Sequence, residues 1–273
     1  MHRAIEDVEF AIVDTETTGL NPACGDRVIE LAALKCRGTQ KLATFQTLVN
    51  PRREVSPGAF AVNRISQEML RDAPPIEEAM PGFLDFVKES CICSYNMPFD
   101  LGFLNSELRL IGKQPLADRP AVDILTMSRR LLPGLPRHAL WFVAQHLGFS
   151  AEQKHRALSD VELTWAVFMR LAGMLREKGI HDFKTFLRLF SLNFSALEDV
   201  QNQKIAEIQE AIDLGARLRI KYLSTTDAQM TRREVIPREI RRQDRGVYLV
   251  GFCCLRNEER TFKIDHIVEL EAL

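Results

Sequence analysis

The chain has no run of 18 apolar residues, which removes a membrane-spanning helix of ordinary length. It has no surplus of charge either. Thirty-six Lys and Arg stand against 37 Asp and Glu, so a massive nonspecific grip on polyanions is excluded and any such contact must come from a local patch. No Cys-x-x-Cys pair occurs among its six cysteines, which leaves no zinc or dithiol signature. Cys91 and Cys93 alternate on an apolar segment, Cys253 and Cys254 are adjacent, and all six read as small core residues of a reducing compartment. The first apolar segment begins within ten residues of Met1, too early for a charged-then-apolar secretory signal. A cytoplasmic location with no membrane partner is therefore expected.

What the chain does have is acid at chosen places. Its 273 residues, 46% of them apolar, suffice for one or two cores. An apolar stretch from Val8 to Val13 runs into Asp14-Thr-Glu16-Thr17-Thr18-Gly19-Leu20. On a strand, the side chains of Asp14 and Glu16 share one face about 7 Å apart along the chain. Two like charges so placed need a counter-ion, and a hard cation of the Mg²⁺ type takes carboxylate oxygens. An Asp-x-Glu alone equally describes a strand that ends in acids, so the assignment depends on further ligands.

Those follow. Cys91-Ile-Cys-Ser-Tyr95-Asn96-Met-Pro98-Phe99-Asp100 reads as a short buried strand, a turn, and a helix with Pro98 at its first position. Asp100 then lies in the first helical turn, where an acid also suits the positive end of the helix dipole. Phe99 and Phe103 are four apart on that helix, and Phe103 reads as core. The segment His155-Arg-Ala-Leu-Ser-Asp160 opens a helix whose Ala157, Val161, Trp165 and Phe168 recur at helical spacing. Five positions are about 140° of rotation. His155 therefore belongs to the loop leading in, free to approach and retreat, and does not share the face of Asp160.

Asp14 and Glu16 in Asp-Thr-Glu-Thr-Thr-Gly-Leu, Asp100 in Asn-Met-Pro-Phe-Asp, and His155 with Asp160 in His-Arg-Ala-Leu-Ser-Asp occur in that order. With these motifs the chain from about residue 5 to 175 resembles the histidine variant of the DEDD-type 3′-to-5′ exonucleases, the DnaQ-like group that includes polymerase proofreading subunits. The resemblance implies an α/β fold, an RNase H-like mixed sheet flanked by helices, and two divalent metal ions, Mg²⁺ or Mn²⁺. Two such ions about 3.5 to 4 Å apart can stabilise both the attacking and the leaving oxygen of a phosphodiester. On the family pattern Asp14 bridges both ions, Glu16 and Asp160 complete one, and Asp100 holds the other mainly through water. His155 is then the general base for the attacking water, a role that histidine fills near neutral pH. The substrate phosphate is itself a ligand in this scheme, so the ions are expected to bind loosely without it.

The same resemblance assigns substrate contacts. Thr17, Thr18 and Gly19 offer backbone NH groups, Leu20 is an apolar wedge against the terminal base, and Asn96 and Phe99 come with the second motif. Tyr95 departs from the pattern, since many relatives have histidine there. Asn63 departs likewise, heading Asn63-Arg64-Ile65-Ser66 where a His-Gly-Ile-Thr type of segment is frequent. Both stand as candidate substrate contacts, and the departures bear on substrate class and leave the metal ligands intact.

Beyond residue 176 the pattern changes. Helix-like runs from Met174 to Asp213 break near Gly179 and around Asn193-Phe-Ser195, where a domain junction is expected, with Ser195 and Glu198 as a capping box. The helix through Ile205, Ile208 and Ile212 should stop near Gly215. The segments 217–223, 231–242, 246–253 and 259–264 then read as strands. From Arg217 to Lys263 there are twelve Lys or Arg against six Asp or Glu, and Arg217, Arg219 and Lys221 alternate with Leu218, Ile220 and Tyr222. Ile220-Lys-Tyr222, Arg233-Glu-Val235-Ile-Pro237, Val247-Tyr248-Leu249, Arg260-Thr-Phe262 and Asp265-His266-Ile267 resemble the WYL domain, with Val247 in place of the naming tryptophan and His266 where arginine is usual. That resemblance implies a small SH3-like β-barrel that binds a nucleic-acid or nucleotide ligand and regulates its neighbour, with Tyr222, Arg233, Tyr248, Arg260 and His266 as the ligand-binding candidates. Arginine forks suit phosphate and tyrosine faces suit unpaired bases.

The expected organisation is an exonuclease domain over 1–175, a helical linker over 176–203 and a WYL-like β domain over 204–273. The expected activity is metal-dependent removal of nucleotides from the 3′ end of single-stranded nucleic acid, DNA before RNA. A DNA polymerase or repair complex is the expected protein partner. A regulatory binding protein that uses the exonuclease fold only for docking is the alternative, against which all five catalytic positions are filled.

Overall fold

The computed structural model describes residues 3–116, 119–150, 155–192, 195–224, 226–243 and 246–273, and of 195–203 the backbone only. Two compact units divide the chain, Met1–Ser128 with Pro136–Leu192, and Arg129–Leu135 with Asn193–Leu273.

In chain order the elements begin β1 (Glu9–Thr17), β2 (Val28–Arg37), β3 (Gln40–Leu48), α1 (Pro57–Asn63), α2 (Gln67–Arg71), α3 (Ile76–Val87) and β4 (Cys91–Ser94). They continue α4 (Met97–Leu110), β5 (Ala121–Asp123), α5 (Ile124–Leu131), α6 (Leu140–His146), α7 (Ala157–Glu177), α8 (Phe183–Phe190) and β6 (Ser191–Leu192). The sheet order is β3-β2-β1-β4-β5-β6. Strands β1, β4 and β5 run parallel, and β2, β3 and β6 pair antiparallel with their neighbours.

Covered on both faces, β1 is apolar from Phe10 to Val13 and turns polar only from Asp14 onward. Its period of two sorts the side chains. Ala11 and Val13 share a core with Met80, Phe83 and Phe103 of α3 and α4, whereas Phe10 meets Phe168 of α7 edge-on at 5.0 Å and Phe186 of α8 at 5.8 Å. Asp14 and Glu16 continue the side of Phe10, towards α7, and Thr15 continues the side of Ala11, towards α4. Gly179, at φ +73°, ends α7, and the amides of Gly179 and Ile180 return to the carbonyls of Arg176 and Leu175 at 2.9 and 3.0 Å. Residues 183–192, which the sequence reading gives to a linker, supply buried Phe186 and Phe190 and the sixth strand to the first unit.

The second unit holds α9 (Ser195–Asp213), β7 (Leu218–Leu223), β8 (Met230–Gln243), β9 (Gly246–Cys253), β10 (Glu258–Lys263) and β11 (Ile267–Ala272). Strands β7 to β10 match the expected segments to within a residue at each end, and α9 stops short of Gly215, at φ +63°. The fifth strand, β11, was not expected. The order is β10-β9-β8-β7-β11, antiparallel throughout. No ladder joins β10 to β11 among the described residues, so what the structure shows of the expected SH3-like barrel is a five-stranded antiparallel sheet. A 3-10 turn at Ile264–His266 leads from one edge strand to the other, and the core is closed by Ile208 and Ala211 of α9 packing with Leu218, Ile220, Val235 and Leu249. The junction at Asn193-Phe194 and the side chains of the Ser195–Glu198 capping box lie outside what is described.

Cys36, Cys91, Cys93 and Cys253 are buried as expected, but Cys24 and Cys254 are exposed, and all six are free thiols. Among the described residues no helix is long and apolar enough to cross a membrane.

Candidate active site

The strand exit, the first turn of α4 and the first turn of α7 converge. Carboxylate oxygens of Asp14, Glu16 and Asp160 all lie within 4.8 Å of one another. Asp100, at the start of α4, is nearly fully buried. Its Oδ1 accepts from the Thr15 backbone N–H at 3.0 Å and from Thr15 Oγ1 at 2.9 Å, and its Oδ2 accepts from Ser94 Oγ at 2.6 Å. Thr15 thus ties the helix of the third acid to the strand of the first two.

Four acids so close repel. Burial first, then Asp100, Glu16, Asp160 and Glu30, hold Asp14 well above the usual carboxylate range. Glu16 is pushed up to about 8 by burial, then by Asp160 and Glu30, with a hydrogen bond from Asn63 acting the other way. Asp100 rises to about 6, because burial outweighs the hydrogen bonds from Ser94 and Thr15. A divalent cation relieves this cost, and an all-oxygen donor set suits a hard one.

His155 is half-buried and stands outside the carboxylate cluster, at φ +48°, two residues before α7. Arg156 follows in extended conformation as the N-cap of that helix. A left-handed non-glycine residue is uncommon and is held only where its surroundings dictate it.

The substrate candidates split into two groups. Around the strand exit, Thr17 Oγ1 donates to the Gly19 carbonyl at 2.6 Å, Thr18 Oγ1 donates to Asp26 at 3.2 Å, and Leu20 is 83% exposed. Asn63 is buried and donates to the Thr17 carbonyl at 3.3 Å, so it braces that exit. In the second motif, Asn96 is the N-cap of α4, Phe99 is part-buried against Phe103 with ring centroids 5.0 Å apart, and Phe103 is core. The Tyr95 hydroxyl donates to the His138 carbonyl at 2.8 Å, which ties the motif to the segment before α6.

In the second unit the five candidates are not alike. Tyr222, Arg233 and His266 are buried. Tyr222 packs edge-on against Phe262 at 5.2 Å, Arg233 Nε donates to Thr231 Oγ1 at 3.0 Å, and His266 Nδ1 lies 3.1 Å from the Leu223 carbonyl. Tyr248 is half-buried, and exposed Arg260 pairs with Glu258 at 3.6 Å.

Three buried acids escaped the sequence reading. Glu107 accepts Arg27 Nε and the Val28 N–H, each at 2.9 Å, and Asp123 accepts the Met97 and Thr126 amides at 3.1 Å. Glu30, in β2, accepts from Arg156 and Ala157. An acid inside an apolar run, as in Val28-Ile-Glu30-Leu, is the one signal that could have marked them.

The sequence profile of the Exonuclease family matches residues 11–168, and that of the WYL domain matches residues 203–272. A DNA polymerase III of PolC type from Thermotoga maritima is 33% identical over 262 residues, 92% of this chain and 18% of its own length. The PolC-type polymerase of Bacillus subtilis is 32% identical over 183 residues, 66% of this chain and 13% of its own. The chain thus spans less than a fifth of the curated relatives it matches. Among solved structures, the zinc-bound E. coli exonuclease I–single-stranded DNA complex superposes with a TM-score of 0.57 at 17% identity, covering 97% of this chain and 64% of that one. The nuclease domain of 3′hExo, a DEDDh family member bound to rAMP, gives 0.54 at 19% identity, covering 63% and 94%. Both likenesses are of fold. The profile match over more than half of the residues places this chain in the exonuclease family, as a DnaQ-like 3′-to-5′ exonuclease domain homologous to the exonuclease region of PolC and joined to a C-terminal WYL domain.

Proposed function

We propose that this chain hydrolyses single-stranded DNA from its 3′ end, releasing nucleoside monophosphates. The observation that carries the reading is the cluster of Asp14, Glu16 and Asp160 oxygens within 4.8 Å, with Asp100 tethered through Thr15 beside it. Asp14, Glu16, Asp160 and Asp100 would hold two divalent cations, Mg²⁺ or Mn²⁺. When bound, these supply charge neutralisation and Lewis-acid polarisation of a phosphodiester. His155 takes the proton of the attacking water, Leu20 packs against the terminal base, and the Gly19 amide orients the last nucleotide. Thr17 and Thr18 shape the turn, the Thr18 amide itself being engaged by the Arg27 carbonyl at 2.9 Å. Tyr95, Asn96, Phe99 and Asn63 set the walls around it. DNA is preferred to RNA in this proposal because the sequence relatives quoted are DNA polymerases.

The same relatives favour a DNA polymerase or repair complex as protein partner, with proofreading or repair as the setting and the cytoplasm as the compartment. The six free thiols suit that reducing setting. The C-terminal domain is proposed to bind nucleic acid and regulate the exonuclease, with Arg260 and Tyr248 as contacts and Tyr222, Arg233 and His266 as the frame beneath them.

The test is a time course on end-labelled single-stranded DNA and RNA of matched sequence with Mg²⁺ or Mn²⁺, with Asp14→Ala alongside. A ladder shortening from the 3′ end, absent in the variant, is expected. Equal cleavage by the variant overturns the metal assignment, and folded wild type that binds oligonucleotide without cleaving it turns the reading to a docking module. Retention of a polymerase on the tagged chain tests the partner.

A further inference from the structure

Glu30 pairs with Glu16 across the β1–β2 ladder and is fully buried, and beyond its charge beside Asp14 and Glu16 the proposed function gives it no role. Its carboxylate accepts four hydrogen bonds. Arg156 donates from Nη2 at 2.8 Å and Nε at 3.2 Å, the Ala157 backbone N–H donates at 3.0 Å, and Gln46 Nε2 donates from β3 at 2.8 Å. Three of the four donors belong to the two residues that follow His155. A buried carboxylate with every lone pair engaged is fixed in place, and so are its donors.

The backbone there changes hand within one step. His155 sits at φ +48°, Arg156 at φ −129°, and α7 begins at Ala157. Glu30 grips both sides of the joint between Arg156 and α7, and the same strand position faces Glu16 in the cluster. We infer that Glu30 is a positioning residue, a clamp that fixes the hinge at Arg156 and Ala157 and thereby sets where His155 stands over the strand that carries Asp14 and Glu16. The clamp is a property of the folded chain, and its consequence for turnover rests on the exonuclease reading.

The experiment uses the whole 273-residue chain and starts from two single variants. Glu30→Gln sets an amide NH₂ against donors it must now repel, and Arg156→Met keeps the side-chain stem but removes the fork. Backbone hydrogen exchange over 155–162 should quicken in both, with 165–175 unchanged. On labelled single-stranded DNA, kcat should fall about 10- to 100-fold with KM within a few-fold, the scale at which outer-shell supports act. Adding Glu30→Gln to His155→Ala should cost nothing further, because a residue that acts through His155 has no effect once His155 is gone. Arg156→Lys, which keeps the charge but not the fork, should recover only part of the rate.

Unchanged exchange at 155–162 overturns the clamp, whatever the rates do. A full additional loss in the double variant overturns action through His155 and makes Glu30 a support of the sheet. If wild-type protein cleaves nothing, the exonuclease reading fails, while the exchange measurement still decides for or against the clamp.

Discussion

Asp100 Oδ1 receives two hydrogen bonds from Thr15, one from its backbone N–H at 3.0 Å and one from its hydroxyl at 2.9 Å. Thr15 lies between Asp14 and Glu16, so the residue that separates two acids of the cluster also anchors a third. The spacing of the first motif therefore does two jobs. Even-numbered side chains face the carboxylate cluster, and the odd one between them locks α4.

Removing only the hydroxyl tests this. Thr15→Val keeps shape and the backbone bond, but leaves Asp100, already raised to about 6, with one fewer bond that favours its charged form. Turnover at neutral pH should drop roughly tenfold, as a hydrogen bond to a charged group is worth about 1.5 to 3 kcal/mol. Thr15→Ser should restore it. A Val variant with wild-type turnover at pH 7 would show that the tether is ornamental.

How far the sequence carried can be read from such pairs. Period two on β1 put Asp14 and Glu16 on one face, whereas that Asp100 and Asp160, each at a helix start, join them came from the family resemblance. Glu30 was not legible, because its partners Arg156 and Ala157 are 126 and 127 residues away, and the one local signal, an acid inside the apolar run Val28-Ile-Glu30-Leu, says that it is buried but not what it holds. In the second unit the alternation Leu218, Ile220, Tyr222 already set Tyr222 on the core side, and the structure buries it there. The ligand assignment came from the resemblance alone, as did the SH3-like barrel. The fifth strand was hidden by Glu269 and Glu271, two acids in six residues, which ion-pair with Lys221 and Arg219 across the ladder.

Cation binding should depend on pH with a definite sign. Glu16 in the folded chain holds its proton up to about 8, and Asp14 also keeps its proton above the usual range. Between the ordinary carboxylate range and pH 8 the folded protein binds protons that the unfolded chain has released, so these groups lower stability as pH rises. A cation must displace those protons. The rise in Tm caused by Mn²⁺ should therefore be larger at pH 8.5 than at pH 6, and absent in Asp14→Ala. Equal shifts at both pH values in thermal melts would contradict the site.

Gly19 is required by space. A Cβ there would stand 2.3 Å from Asp26 Oδ2, the carboxylate that accepts the Thr18 hydroxyl and the Asn21 amide. Gly19→Ala must expel Asp26 from the turn, at a cost of about 1 to 3 kcal/mol for overpacking. Because Leu20 follows directly, KM for oligonucleotide should rise by more than kcat falls. A variant with wild-type Tm and KM would mean that the turn relaxes freely.

His266 gives the second unit a pH dependence of opposite sign to that of the cluster. Burial first, then the charge of Arg130, pulls it down to about 4, while Asp265 and the Leu223 carbonyl act the other way and Lys263 adds to the fall. Arg130, from the 129–135 segment of the same unit, pairs with Asp265 at 3.0 Å, and Lys263 pairs with it at 3.1 Å. Below the ordinary histidine value the unfolded chain takes a proton that the folded one refuses. The contribution is therefore complete above about pH 6.5 and lost as pH falls towards 4, on the order of 3 kcal/mol in all. His266→Asn, which can still donate towards Leu223, removes the titration. Urea unfolding followed by far-UV circular dichroism should show wild type losing stability between pH 6.5 and 4.5 faster than the variant. If the two curves keep a constant separation across that range, His266 does not titrate as a buried neutral group, and its place beneath the sheet must be reconsidered.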